Sequence, residues 1–249
     1  MCENCGCSDV EPARPARGDH DHAGLAHLDR LAERNRGFLR AKRVCAVNLL
    51  SFAGSGAAAL VERTRRELGA RRRVTTLNAA DLERFHALHT HASAHAHEPH
   101  TAAEASGGLD AHAVAHALEE LPLDGVELLL IENSGPAATQ AVQDLGETVR
   151  VAFFSVRDGA LKPLKFPLFF AGAAAVALTD ADAATAAGCD IEQARANVQQ
   201  VAPAAVFIPI SSATSPTVWY QFLEGLIERQ HSTSNPKASH EQTHHHRGD

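Results

Sequence analysis

Six short apolar runs recur along the chain: Val44 to Leu50, Val74 to Leu77, Val126 to Ile131, Val149 to Val156, Ala173 to Leu178 and Ala205 to Ile210. Runs of this kind are strands buried on both faces, the pattern of a parallel sheet. Between them apolar residues recur at helical spacing, which predicts helices over Ala57 to Leu68, Ala80 to Leu88, Asp110 to Leu121, Asp190 to Val201 and Thr217 to Arg229. A further helix is predicted before the first strand, where Leu25, Leu28, Leu31 and Phe38 share a face and the pattern ends near Lys42. Strands alternating with helices predict an α/β fold with a mostly parallel, doubly wound sheet flanked by helices, in which ligands sit beyond the C-terminal strand ends.

The two ends depart from this pattern. Residues 1–23 hold Pro12, Pro15, Gly18 and charges without apolar periodicity, and residues 231–249 are polar throughout; both read as flexible tails around one domain spanning 24–230. With 249 residues, of which 45% are hydrophobic and 21% charged, the chain can bury one sizeable core. A formal charge of -7 excludes a general nucleic-acid binder, which needs a concentrated basic surface. No apolar stretch approaches the roughly 18 residues of a membrane span, and the N-terminus lacks a secretory apolar region. A cytoplasmic protein is expected, in which thiols stay reduced.

The first strand runs into 48-NLLSFAGSGAAALVERT-64, where Gly54-Ser55-Gly56 separates apolar strand from alanine-rich helix. That is the shape of a phosphate-binding loop, whose backbone N–H groups cradle phosphates while a lysine reaches the outer two and a hydroxyl holds magnesium. Here the last two places are Ala57 and Ala58. Charge-assisted hydrogen bonds contribute about 1.5–3 kcal/mol each. Losing two weakens nucleotide binding roughly 10²- to 10⁴-fold at about 1.4 kcal/mol per decade.

Two groups of metal-binding side chains stand apart from the loop. Cys2, Cys5 and Cys7 place three soft thiolates beside a chain terminus, a set that suits square-planar nickel(II), with tetrahedral zinc, a redox pair and an inherited tail without a present use as alternatives. Cys45, inside an apolar run, reads as a buried core residue. The chain holds sixteen histidines, eleven of them in clusters at His20 and His22, at 86-HALHTHASAHAHEPH-100, and at His244, His245 and His246. In the central segment His86 and His89, and likewise His91 and His95, would share a helix face, His95 and His97 a strand face, and His100 closes the run. Closely spaced imidazoles bind nickel, zinc or copper in interchangeable geometries, which suits storage; the other reading is a solvated low-complexity insertion.

Seven segments together resemble the HypB family of hydrogenase nickel-incorporation accessory proteins: 1-MCENCGCS-8, 32-AERNRGFL-39, 48-NLLSFAGSG-56, 131-IENSG-135, 144-DLGE-147, 155-SVRDGALKPLKFPLFFAGA-173 and 210-ISSATS-215. The resemblance implies a P-loop GTPase-like fold, a high-affinity nickel site at Cys2, Cys5 and Cys7, and a nucleotide site containing Gly54, Ser55, Gly56, Asp182, Ser212 and Ala213. It also marks departures. Asn78 stands where the family has a magnesium-facing acid, and the guanine-reading N-K-x-D becomes 179-TDAD-182. Gly107, Gly108 and Thr139 align with the Cys, His and Cys of the family's second metal site. Lys162 and Lys165 are the lysines available to substitute for the missing one. The resemblance thus implies a nickel metallochaperone or store, bound to maturation proteins and a hydrogenase large subunit and able to form a homodimer, with GTP and magnesium lost. An active GTPase that couples hydrolysis to nickel delivery, and a histidine-rich storage protein, are the alternatives.

Overall fold

The computed structural model describes residues 19–90, 109–134 and 143–233, with side chains placed over 26–85, 109–134 and 143–233. All six apolar runs are strands: β1 (Cys45–Ser51), β2 (Val74–Leu77), β3 (Leu128–Ser134), β4 (Val149–Ser155), β5 (Ala175–Thr179) and β6 (Val206–Pro209). They form one sheet in the order β2-β3-β1-β4-β5-β6, and every neighbouring pair is parallel. The chain starts at central β1, builds toward β2 on one side, then crosses to β4 on the other. The switch therefore falls beside the C-terminal end of β1, where open α/β sheets bind ligands.

The longer helices are α1 (Asp19–Lys42), α2 (Ala57–Glu67), α3 (Ala79–Thr90), α4 (Ala111–Glu120), α7 (Ile191–Val201) and α8 (Thr217–Thr233), with the short α5 (Lys162–Lys165) and α6 (Pro167–Phe170) following β4. Alternate strand residues feed opposite layers, as the two-fold period of a strand requires. Val47, Leu49, Leu128, Leu130, Val151 and Phe153 pack against α2 and α8, where Trp219 and Leu223 are fully buried. On the other face Ala46, Leu129 and Ile131 meet α1, α3 and α4, while Ala152, Phe154 and Val176 meet α6 and α7. Cys45 lies in the first of these layers, and burial pushes its thiol up to about 11, so it is an inert core residue at neutral pH.

The first and last helices run past residues 24 and 230. The first helix begins at Asp19, so the boundary expected after residue 23 falls inside it and His20 and His22 sit in its first turn. The last helix continues past Gln230 to Thr233. The short helices after β4 were not anticipated because four residues are too few to show a helical period, and both place proline at the start, where its fixed φ and missing N–H are tolerated.

Two segments without an evident sequence role dock on each other at the N-terminal edge of the sheet. Asn35 Nδ2 donates to the carbonyls of Ala111 at 2.8 Å and Leu145 at 3.1 Å. Arg36 clamps Asp144 through contacts of 2.6 and 2.7 Å, and Glu147 accepts from Leu145 N–H at 2.7 Å and Arg150 Nε at 2.6 Å. Burial alone would push the Asp144 carboxyl up, but the hydrogen bond and charge of Arg36 and the Gly146 N–H outweigh it and hold it below its ordinary value. Between these acids Gly146 has φ of 88°, and a Cβ there would lie 2.4 Å from the Ala32 carbonyl oxygen in α1. Gly146→Ala combines a left-handed strain with a backbone clash and should destabilise the fold by on the order of 3 kcal/mol, read as a lower urea midpoint. An unchanged midpoint would mean that α1 does not dock as described.

Candidate functional site

At the switch point the chain leaves β1 after Ser51 and turns tightly. Ser55 N–H donates to the Phe52 carbonyl at 3.1 Å, and Leu60 N–H to the Gly56 carbonyl at 3.2 Å opens α2. Gly54 and Gly56 have φ of 77° and 75°. Nothing lies within 4 Å of a Cβ placed on Gly54, so conformation rather than space demands glycine there. Ser55 is buried, and the Thr179 hydroxyl donates to its carbonyl, pinning the turn to the end of β5. Ala57 is buried against the layer containing Leu60 and Val61, whereas Ala58 is exposed. Neither methyl group can donate a hydrogen bond to phosphate or coordinate a cation.

The ends of the neighbouring strands are acidic. Asn78, just after β2, caps α3 reciprocally with Asp81: Asp81 N–H donates to Asn78 Oδ1 at 3.0 Å and Asn78 N–H to Asp81 Oδ2 at 3.1 Å. Its side-chain amide also hydrogen-bonds Glu132 near the end of β3. Burial pushes the Glu132 carboxyl above its ordinary value, the Asn78 bond opposes the rise, and the negative charges of Asp81 and Glu62 add to it. A phosphate group entering here would meet further negative charge.

The expected guanine-side residues do come together. Asp182, in a single 3₁₀ turn, accepts from Ser212 N–H at 3.0 Å and Ser212 Oγ at 2.9 Å, which hold its carboxyl below the ordinary range. Ala213 N–H donates to Ser211 Oγ at 3.1 Å. Thr179, in place of the pattern's asparagine, ties the glycine turn to the sheet. Asp180, in place of its lysine, has φ of 56° and accepts from Ser155 Oγ at 3.2 Å. This reversal of charge is readable in 179-TDAD-182, but its consequence depends on where the loop places the carboxylate. Of the two lysines offered as substitutes, Lys162 donates to Asp158 at 3.1 Å and lies 3.9 Å from the centre of the Phe52 ring and 4.9 Å from that of Phe166. Its ammonium is held between a carboxylate and aromatic faces. Lys165 is exposed.

The expected metal ligands are distributed differently. His86 and His89 lie in the last turns of α3, three residues apart, as the helical reading requires. Cys2, Cys5, Cys7, His91, His95, His97, His100, His244, His245 and His246, with the aligned Gly107, Gly108 and Thr139, lie outside the described residues. Among the described residues no group of three or more His, Cys, Asp or Glu side chains is placed to hold a metal ion, and no helix is long and apolar enough to cross a membrane.

A six-stranded parallel sheet with a left-handed glycine turn between its central strand and the following helix defines a protein of the P-loop GTPase fold. The solved structure of the hydrogenase maturation factor HypB from Archaeoglobus fulgidus has the same fold, with a TM-score of 0.66 and 31% identity over 81% of this chain and 99% of that one. HypB from Helicobacter pylori, solved in complex with nickel, superposes with a TM-score of 0.66 at 22% identity over 86% of this chain and 99% of that one. No family model matches the chain. In sequence the chain is 33% identical over 205 residues to the hydrogenase maturation factor HypB of Escherichia coli K12, covering 79% of this chain and 68% of the relative. The corresponding Azotobacter vinelandii protein is 34% identical over 215 residues, covering 84% of this chain and 68% of the relative. The chain belongs to the HypB family.

The acidic strand ends yield a test with a defined sign. The folded state raises the Glu132 pKa, so it binds more protons than the unfolded chain just above the ordinary carboxylate range, and stability falls as pH rises through that window. Glu132→Gln escapes this loss. The variant should be more stable than the parent at pH 7 by less than about 1 kcal/mol, because the site is half exposed and screened. The difference should disappear below about pH 4, where both side chains are neutral. Urea melts at the two pH values measure it, and a variant less stable than the parent at pH 7 would contradict the acidic environment described here.

Proposed function

We propose that this protein is a nickel-binding accessory protein for maturation of a nickel enzyme, with [NiFe] hydrogenase the leading target, and that it has lost GTP turnover. Membership of the HypB family supports the maturation role, since its relatives carry the name hydrogenase maturation factor. The observation that carries the second half is that the family's strand, glycine turn and helix are kept while Ala57 is committed to the core, Ala58 offers only a methyl group, Asn78 caps α3 and Asp180 stands at the place of the guanine-side lysine. Magnesium–GTP needs a lysine and a hydroxyl where Ala57 and Ala58 stand and a carboxylate where Asn78 stands, so the residues present do not fit it. The turn is retained because β1 and α2 need it.

In this reading nickel is cargo. The Cys2, Cys5 and Cys7 thiolates bind it tightly, the histidines at 20, 22, 86–100 and 244–246 bind further nickel or zinc weakly, and the folded domain docks maturation partners and the hydrogenase large subunit in the cytoplasm. Around the short helices α5 and α6, Leu161, Leu164, Phe166 and Leu168 are 54%, 38%, 38% and 70% exposed and make an apolar stretch of surface chain. That surface suits pairing with a second copy, and homodimerisation through it belongs to the same proposal.

Two measurements test this reading. Titration of the full chain with a fluorescent, non-hydrolysable GTP analogue and magnesium should show no saturable binding up to millimolar concentration; micromolar, guanine-selective binding would restore an active GTPase. Anaerobic nickel titration should show a tight site that disappears when Cys2, Cys5 and Cys7 are all replaced by serine, with weaker binding left in place. A tight stoichiometry that survives the triple replacement would remove the cysteines from the assignment.

A further inference from the structure

The fourth long helix carries two histidines that neither the glycine turn nor the histidine-rich segment includes. His112 and His116 are four residues apart in 111-AHAVAHALEE-120 and so lie on one face, one turn from each other. Their Nε2 atoms are 3.2 Å apart, with ring centroids separated by 4.6 Å and ring planes at 86°. We propose that His112 and His116 form a chelating site for a divalent transition-metal ion on the folded domain.

The geometry matches the chemistry. Two imidazole nitrogens at about 2.0–2.1 Å from a tetrahedral zinc lie about 3.3 Å from each other. Histidines at i and i+4 on a helix are the spacing that metal-binding helices use for two ligands on one face. The backbone beneath them is fixed before any metal arrives. The Asp110 carboxylate caps α4 by accepting from Ala113 N–H at 2.8 Å, and Ala111, Ala113, Val114, Ala117 and Leu118 are buried. Little conformational freedom is therefore lost on chelation. The two Nε2 atoms lie within hydrogen-bond distance of each other, and for both to coordinate each ring must present Nε2 without a proton. His112 is half-buried and His116 exposed, so an ion can enter from solvent. Imidazole nitrogen suits zinc, nickel and copper. With two ligands from the helix, the remaining positions of a four-coordinate ion go to water or incoming donors. Such a site exchanges its metal readily, and it sits on a helix of the described structure, whereas the proposed thiolate site lies outside the described residues.

This difference decides the experiment. Ions bound by segments that bind equally before and after unfolding do not change the thermal midpoint, whereas an ion held only by the folded α4 raises it. Zinc chloride added to the full chain, at about 100 times the dissociation constant, should raise the midpoint by several degrees. His116→Ala, at an exposed position where alanine is a good helix former, should keep the metal-free midpoint and abolish the rise; His112→Ala should do the same. A zinc-dependent rise of the same size in His116→Ala, or no rise in the parent, overturns the proposal. Replacing Cys2, Cys5 and Cys7 by serine should leave the rise intact, so failure of the cysteine assignment and failure of this site are distinguishable.

Discussion

The structure depends on the double-sided burial of β1. Every residue from Cys45 to Ser51 is buried, paired to β3 along its whole length and to β4 from Val47 onward. A strand so enclosed cannot exchange its backbone hydrogen bonds for water, so the chain can turn only where the sheet ends. The glycine turn is the consequence: a reversal into α2 within a few residues, requiring left-handed backbone at Gly54 and Gly56. Thr179 then fastens that turn to β5 from the far side. These constraints are architectural, and they persist whether or not a nucleotide binds. A loop of phosphate-binding shape can therefore outlast the side chains that grip phosphate.

The opposite edge of the sheet carries the second constraint. The segment 32-AERNRGFL-39 supplies the amide and guanidinium of Asn35 and Arg36, and 144-DLGE-147 supplies the carboxylates and carbonyl that receive them. The two are far apart in sequence and fix α1 against the entry to β4. Gly146 permits the close approach, because a side chain there would occupy the space of the Ala32 carbonyl. Both segments take part in the family resemblance, and the structure assigns them to holding the frame rather than to the ligand edge.

Electrostatics separates the two edges. At the docking edge each acid faces a base: buried Glu147 meets Arg150, and half-buried Asp144 is held ionised by Arg36. At the ligand edge Glu132 faces Asp81 and Glu62, and Asp180 stands at the position of a lysine. Ala57, where the phosphate-binding pattern has its lysine, and Asp180 act in the same direction: two cations are missing from the crevice, which leaves it a poor host for a polyanion. Of the two lysines available for compensation, Lys162 is engaged by Asp158 and the ring of Phe52.

Periodicity and composition were sufficient for the parallel sheet, all six strands and the long helices, because burial on both faces leaves a continuous apolar signature and helices leave a 3.6-residue one. The family was legible too, from short segments whose order along the chain is independent of any contact. Helix ends were less so: α1 reaches Asp19 through 19-DHDH-22, which has no apolar stripe, and the short turns after β4 are below the length at which a period can be read. What only the tertiary structure decided is which side chains meet. Asn78 reads as a lost acid but serves as a helix cap bonded to Glu132, and Asp144 and Glu147, legible only as part of the family segment 144-DLGE-147, close on α1 and Arg150. Even the i, i+4 spacing of His112 and His116 was present in the sequence, yet the 3.2 Å approach of their nitrogens depends on rotamers and on the packing that fixes α4. Sequence fixes the period of burial, a local property; partners separated by scores of residues are chosen only when the sheet brings their elements together.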